Sequence, residues 1–163
     1  MKFTLYTATC RENAKNIKYP KDVEVIDEES LKSAVQFDHV SAKFTDDKRS
    51  NASFIESDCL MFDCDNSHSE NPEDWVTPLE LALTFSDVAF AVAYSRNHMK
   101  NKGNRIARPK FHVYFEAEKV KKDVKTSIYL IKMCYETCFF SWKVCQCPKS
   151  PYLCNVFFIV LDL

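Results

Sequence analysis

Gly103 is the only glycine in this chain of 163 residues, so nearly every tight turn has to be made by a residue that carries a Cβ. Average usage of roughly 7% would supply about eleven glycines. Asn, Asp and Pro must take the turn positions instead. The rest of the composition suits a packed core: 46% of residues are hydrophobic and 13% aromatic, which excludes wholesale disorder. The length fits one ordinary domain, able to bury about two-thirds of its unfolded surface. Lys and Arg total 22 against 23 Asp and Glu, so a uniform basic coat is excluded and any basic site must be local. The longest strongly apolar stretch, Val156 to Leu161, is far shorter than the ~20 residues that span a bilayer. The N-terminus also lacks the apolar core and cleavage site of a secretory signal. The expectation is a cytoplasmic protein with no membrane partner.

Hydrophobic periodicity predicts a mixed order of strands and helices. Lys2 to Thr7 alternates apolar and polar residues and reads as a strand, with a second, short one at Val23 to Ile26. Glu28 to Val40 places Leu31, Val35 and Val40 near helical spacing behind acidic residues that suit a helix start. Thr45 to Ser53 is a polar loop. Cys59 to Phe62 is an apolar run ending in Asp63-Cys64-Asp65-Asn66, a buried strand with carboxylates at its carboxyl end. A polar loop over Ser67 to Asp74 leads to Thr77-Pro78-Leu79-Glu80, a capping box with proline at the first helical position. The helix it starts should carry Leu79, Leu81, Leu83 and Phe85. Strands at Val88 to Tyr94 and Phe111 to Phe115 follow, then a helix from Val120 to about Phe140.

Composition shifts near residue 133. Cys134, Cys138, Cys145, Cys147 and Cys154 crowd a tail whose charged residues are only Glu136, Lys143, Lys149 and Asp162. Four thiolates could hold zinc, although the Cys134-x3-Cys138 and Cys145-x-Cys147 spacings do not make a convincing knuckle. Disulfides suit an exported protein, which this chain does not resemble. The favoured reading is a tail, 134–163, that is frameshifted or truncated.

Two constellations carry chemistry. Side chains two apart on a strand share a face, so Asp63 and Asp65 converge while Cys64 points away. Such a pair suits a hard divalent cation that also takes oxygens from substrate phosphates. The plain alternative is a solvated turn after a strand. An EF-hand is excluded, because its glycine position is His68 and its bidentate glutamate position is Asp74. The second constellation runs from Arg96 through Phe115, with Arg96, Lys100, Lys102, Arg105, Arg108 and Lys110, His98 and His112, and no acidic residue. A solvated hairpin would mix both signs, so contact with a polyphosphate or a nucleic-acid backbone is the better reading. Gly103 lies inside this loop, where positive φ or close approach to a phosphate would call for it. On the last strand His112 and Tyr114 share one face and Phe111, Val113 and Phe115 the other. His112 is either a structural hydrogen-bond partner or a donor to a triphosphate. His39 and His68 read as surface residues.

Phe62-Asp63-Cys64-Asp65-Asn66, Ala93-Tyr94-Ser95-Arg96-Asn97-His98 and Arg108-Pro109-Lys110-Phe111-His112-Val113-Tyr114-Phe115, in this order, resemble the catalytic domain of archaeo-eukaryotic primases. The likeness is greatest to primase-polymerases of phages and integrative elements, and it covers about residues 1–120. It implies an α+β fold with an RRM-like antiparallel or mixed sheet flanked by helices, so that 1–133 would be an incomplete primase-like domain. It implies Mg²⁺ or Mn²⁺ at Asp63 and Asp65, and nucleotide contact by His112 with help from Ser95, Arg96, His98, Arg108 and Lys110. The implied partners are nucleoside triphosphates, a single-stranded DNA template and a replicative helicase. Arg49-Ser50-Asn51 resembles a recurrent loop of the same relatives, with no role assigned. The family also has a third acidic motif on a later strand, for which Asp162 is the only candidate in form.

Three functions follow as expectations. The first is two-metal, template-directed nucleotidyl transfer, with Asp63 and Asp65 activating a primer 3′-hydroxyl for attack on the α-phosphate. The second is a truncated, inactive remnant that still binds nucleotide or single-stranded nucleic acid. The third, from an unrelated class, is an Mn²⁺-dependent glycosyltransferase using Asp-x-Asp to hold a sugar diphosphate.

Overall fold

The structure, a computed structural model, describes residues 1–101 and 103–121, together with the backbone of Phe158–Leu161. The expected helix beyond Lys121, the cysteines from Cys134 onward, Lys102 and Asp162 lie outside the described residues.

The first strand, β1 (Phe3–Thr7), buries Phe3, Leu5 and Thr7 on one face, as its alternation predicts. It pairs antiparallel with β2 (Lys21–Val25) on one side and with β3 (His39–Val40) on the other. Between them α1 (Glu28–Val35) starts at a capping box in which the Asp27 side chain accepts the Ser30 N–H. The helix is shorter than the sequence predicts. Val40 is buried by pairing with Tyr6 in β3 rather than by a further helical turn, and the Asp38 carboxylate accepts the backbone N–H groups of Glu12 and Asn13.

A second sheet carries β4 (Lys43–Phe44), β5 (Phe54–Cys64), β6 (Phe90–Tyr94), β7 (Phe111–Lys121) and β8 (Phe158–Leu161). Their spatial order is β4-β5-β7-β6-β8, antiparallel except for the parallel pair of β6 and β8. The fold is therefore α+β with a mixed central sheet. Two strands run further than the hydrophobic runs suggest: β5 begins at Phe54, and β7 continues to Lys121. Val120 sits opposite Ser57 on that extension rather than opening a helix. Cross-strand pairing keeps the polar end extended, with Lys119 bound to Glu56 at 3.1 Å.

Each face of the central sheet is covered by a different layer. On one face Cys59, Ala91, Ala93 and Tyr114 pack against Phe3, Leu5 and Val25 of the small sheet and against Leu31 and Ala34 of α1. On the other, Phe62, Cys64, Phe90, Val92, Phe111 and Val113 pack against Val76 and against Leu81 of α2 (Pro78–Thr84). The capping box predicted for α2 is present, with Thr77 accepting from the Glu80 N–H and Glu80 accepting from the Thr77 N–H. Its leucines do not act together. Leu81 is buried and Phe85 partly so, four residues apart on one face, whereas Leu79 and Leu83 face outward at 68% and 72% exposure.

The scarcity of glycine shows in the turns. Asp46, Asp47 and Asn66 adopt positive φ, as do Glu12, Met99 and Gly103. A Cβ at Gly103 would meet nothing within 4 Å, so its φ of +61° rather than crowding is what suits glycine there.

Candidate functional site

The pairing of β5 with β7 sets Asp63 directly opposite His112, and β6 adds Ala93 on the other side of His112. These three positions share one face at the end of the sheet. Cys64 points to the opposite apolar layer, where burial pushes its thiol up to about 12. Asp65 follows β5 directly, and the chain then turns at Asn66, whose φ is +49°. The Asn66 amide holds that turn: it donates to the carbonyls of Val76 and Pro109, both at 2.9 Å, and its oxygen accepts the Val76 N–H at 2.8 Å. A buried asparagine thus does the work that glycine does in other chains.

Asp63, Asp65, His112, Lys110, Ser95 and Arg96 all line one open cleft of about 770 Å³. Partial burial, and next the charge of Asp65, raise the Asp63 carboxyl above the ordinary aspartate range. His112 Nε2 lies 3.7 Å from Asp63 Oδ1. Burial lowers the His112 pKa, partly opposed by Asp65. Lys110 Nζ donates to Asp65 Oδ1 at 2.9 Å and neutralises the outer carboxylate.

The remaining candidates take different parts. Arg96 reaches across the cleft wall to Glu12 at 2.7 Å and to Asp38 at 3.5 Å, tying the β1–β2 connection and the α1–β3 link to the loop after β6. His98 is not in the cleft lining; its ring lies 4.0 Å from that of Tyr94 and its Nδ1 accepts the Lys110 N–H at 3.2 Å. Arg108 is buried. Its guanidinium bonds the carbonyls of Asn66 and Ser69 and the Glu70 carboxylate, over the Trp75 ring. It holds the loop that follows Asp65 rather than reaching into the cleft beside Asp63. A second cavity of about 400 Å³, lined by Lys100, Arg105, Lys110 and Asp65 among others, continues the basic surface on the other side of Lys110.

His68 is exposed, as expected, whereas His39 is only partly exposed and lines the cleft wall. Its Nε2 is 2.8 Å from Tyr114 Oη, and its ring meets that of His112 edge-on with centroids 5.6 Å apart. Burial pulls its pKa from 6.5 down to about 4. The only sequence signal for this placement is the apolar Val40 beside it, which draws the segment into β3. Arg49, the first residue of Arg49-Ser50-Asn51, lines the cleft, and its backbone N–H donates to the Ile17 carbonyl at 2.8 Å.

Two carboxylates lining one cleft fit a hard cation that fills its remaining positions with water and phosphate oxygens. Among the described residues no group of three His, Cys, Asp or Glu side chains is placed to close a metal site by itself. No described helix is long and apolar enough to cross a membrane. Comparison with protein-family models, with curated proteins and with solved structures found no match.

Proposed function

We propose that this chain is a nucleotidyltransferase domain of primase-polymerase type from a mobile genetic element, working on nucleoside triphosphates against a single-stranded DNA template, with a replicative helicase as partner. The observation that carries the reading is the convergence of Asp63, Asp65, His112 and Lys110 at one end of the central sheet, in a cleft large enough for a nucleotide. The antiparallel β5-β7-β6 core with α1 and the small sheet on one face and α2 on the other supports an RRM-like arrangement.

Asp63 and Asp65 would hold Mg²⁺ or Mn²⁺, which supplies charge stabilisation to the α-phosphate and the attacking 3′-oxygen. Lys110 pairs with Asp65, and would be available to a phosphate oxygen if a cation took that carboxylate. Arg96 is held by Glu12 and Asp38 at the cleft rim, where it can exchange an exposed carboxylate partner for a phosphate. Lys100 and Arg105 extend this positive surface toward the path of a polyphosphate or a strand backbone.

The Lys110–Asp65 ion pair and the lack of a third ligand among the described residues favour a second reading, an inactive domain that binds nucleotide without turnover. One assay separates the two: Mn²⁺-dependent incorporation of labelled nucleotide on a single-stranded template, by the full chain and by Asp63→Asn. Incorporation lost by roughly 10³-fold in the variant is expected for a working site of this kind. No incorporation by either protein, with metal-dependent ATP or dATP binding lost in Asp63→Asn, selects the inactive domain. Turnover of a UDP-sugar instead would replace both readings with glycosyl transfer.

A further inference from the structure

In the wall of the cleft, which His39 and His112 both line, three side chains from two sheets form a continuous hydrogen-bonded chain that runs from a backbone carbonyl to His112. His39 Nδ1 is 2.9 Å from the Phe37 carbonyl, His39 Nε2 is 2.8 Å from Tyr114 Oη, and Tyr114 Oη is 3.3 Å from His112 Nδ1. We infer that His39 and Tyr114 are positioning residues that fix the tautomer and ring orientation of His112, holding its Nδ1–H inward and leaving Nε2 as a bare nitrogen facing the cleft beside Asp63.

The direction of every bond follows from its first member. A carbonyl oxygen only accepts, so His39 Nδ1 carries a hydrogen. His39 is neutral near pH 7 because burial holds its pKa at about 4, so its Nε2 can only accept. Tyr114 is fully buried and its phenol titrates well above its ordinary range, so the hydroxyl keeps its one hydrogen. It donates that hydrogen to His39 Nε2, and its oxygen is left to accept from His112. The His112 hydrogen therefore sits on Nδ1. Reversing the chain would require a charged His39, or a carbonyl that donates.

Packing keeps the chain in register. Phe3 stacks on Tyr114 with ring planes 9° apart, and the His112 ring stands at 87° to it. His112 and Tyr114 are two apart on β7 and so share a face, while β3 brings His39 against that face from 75 positions away in sequence. A partner behind an imidazole that sets which nitrogen is free is a recurrent way of tuning the nitrogen that works. The hydrogen-bonded chain stands on its geometry; its bearing on nucleotide contact rests on the function proposed above.

Two readouts test it separately. Long-range ¹⁵N–¹H spectra of the full chain near pH 7 should show His112 protonated at Nδ1 with Nε2 bare. Tyr114→Phe should move His112 toward the Nε2–H form that a solvated histidine side chain favours, and His39→Leu should do the same. His39→Gln should restore the original tautomer, because its Oε1 can accept from Tyr114. An Nε2–H tautomer in the unaltered protein overturns the inference without any variant, and so does a tautomer that Tyr114→Phe leaves unchanged. A bare Nε2 accepts, so it would take a hydroxyl or base N–H of the nucleotide rather than a phosphate oxygen, and in the incorporation assay Tyr114→Phe should raise the nucleotide KM by roughly 10-fold, with a smaller change in kcat. If the spectra show the expected tautomers but the unaltered chain incorporates nothing, the hydrogen-bonded chain holds and the polymerase reading falls. If incorporation is robust but His112 is Nε2–H, the polymerase reading holds and the inference falls.

Discussion

The two faces of the central sheet are made by alternate residues of the same strands, yet they do different work. The face of Phe62, Phe90, Val92, Phe111 and Val113 is apolar and is closed by Leu81 and Val76. The other face changes along its length, from Cys59, Ala91 and Tyr114 under the small sheet to Asp63 and His112 at the open end. Small residues at Ala91 and Ala93 let the second layer lie close, and the side chains that emerge where that layer stops become the site. A single strand can thus serve a core and a binding cleft, because its side-chain period is two and covering layers need not have the same extent.

If that division is right, damage to the first face should appear as lost stability and damage to the second as lost chemistry. Phe111→Ala should have the largest effect, destabilising the fold by about 3–5 kcal/mol in denaturant titration, as large aromatic truncations in cores do. The nucleotide affinity of the fraction that remains folded should change far less.

The site face should instead be sensitive to acid. His39 has a folded pKa of about 4 against 6.5 for an ordinary histidine, so between those values the unfolded chain binds more protons than the folded one. Stability is then fully present above pH 6.5 and falls as the pH drops toward 4, by at most about 3 kcal/mol from this residue. His112 shifts in the same direction. Comparing unfolding midpoints of the unaltered protein and His39→Gln across that range isolates the His39 share, and the variant should show the shallower loss.

Arg108 and Arg96 sharpen the comparison within the basic segment itself. Arg108→Ala should cost about 2 kcal/mol of stability, because it strips a buried guanidinium from the carbonyls of Asn66 and Ser69 and from the Trp75 ring. Arg96→Ala, by contrast, breaks pairs with Glu12 and Asp38 at a half-exposed guanidinium and should change stability by less than about 0.5 kcal/mol. Its effect should be on nucleotide binding, measured by titration at two salt concentrations. Two arginines that look alike in sequence would then separate cleanly into a structural one and a ligand-facing one.

Alternation in Phe3–Thr7 and Phe111–Phe115, the Thr77-Pro78-Leu79-Glu80 helix start, the shared face of His112 and Tyr114, and three of the left-handed positions (Asp46, Asp47 and Asn66, though not Glu12 or Met99) were determined by the sequence itself. They depend on spacings of a few residues, and the backbone geometry of a strand, a helix or a turn converts such spacings directly into direction. The tertiary structure alone decided that α1 stops at Val35 and that β7 runs on to Lys121. It alone placed Asp63 across from His112, turned Arg108 inward, and set His39 in the cleft wall against Tyr114 rather than on the open surface. Each of those outcomes depends on which strand lies beside which. The backbone hydrogen bonds that join strands are the same for almost every residue type, so the choice of neighbour is made by the burial of whole layers and not by any local pattern.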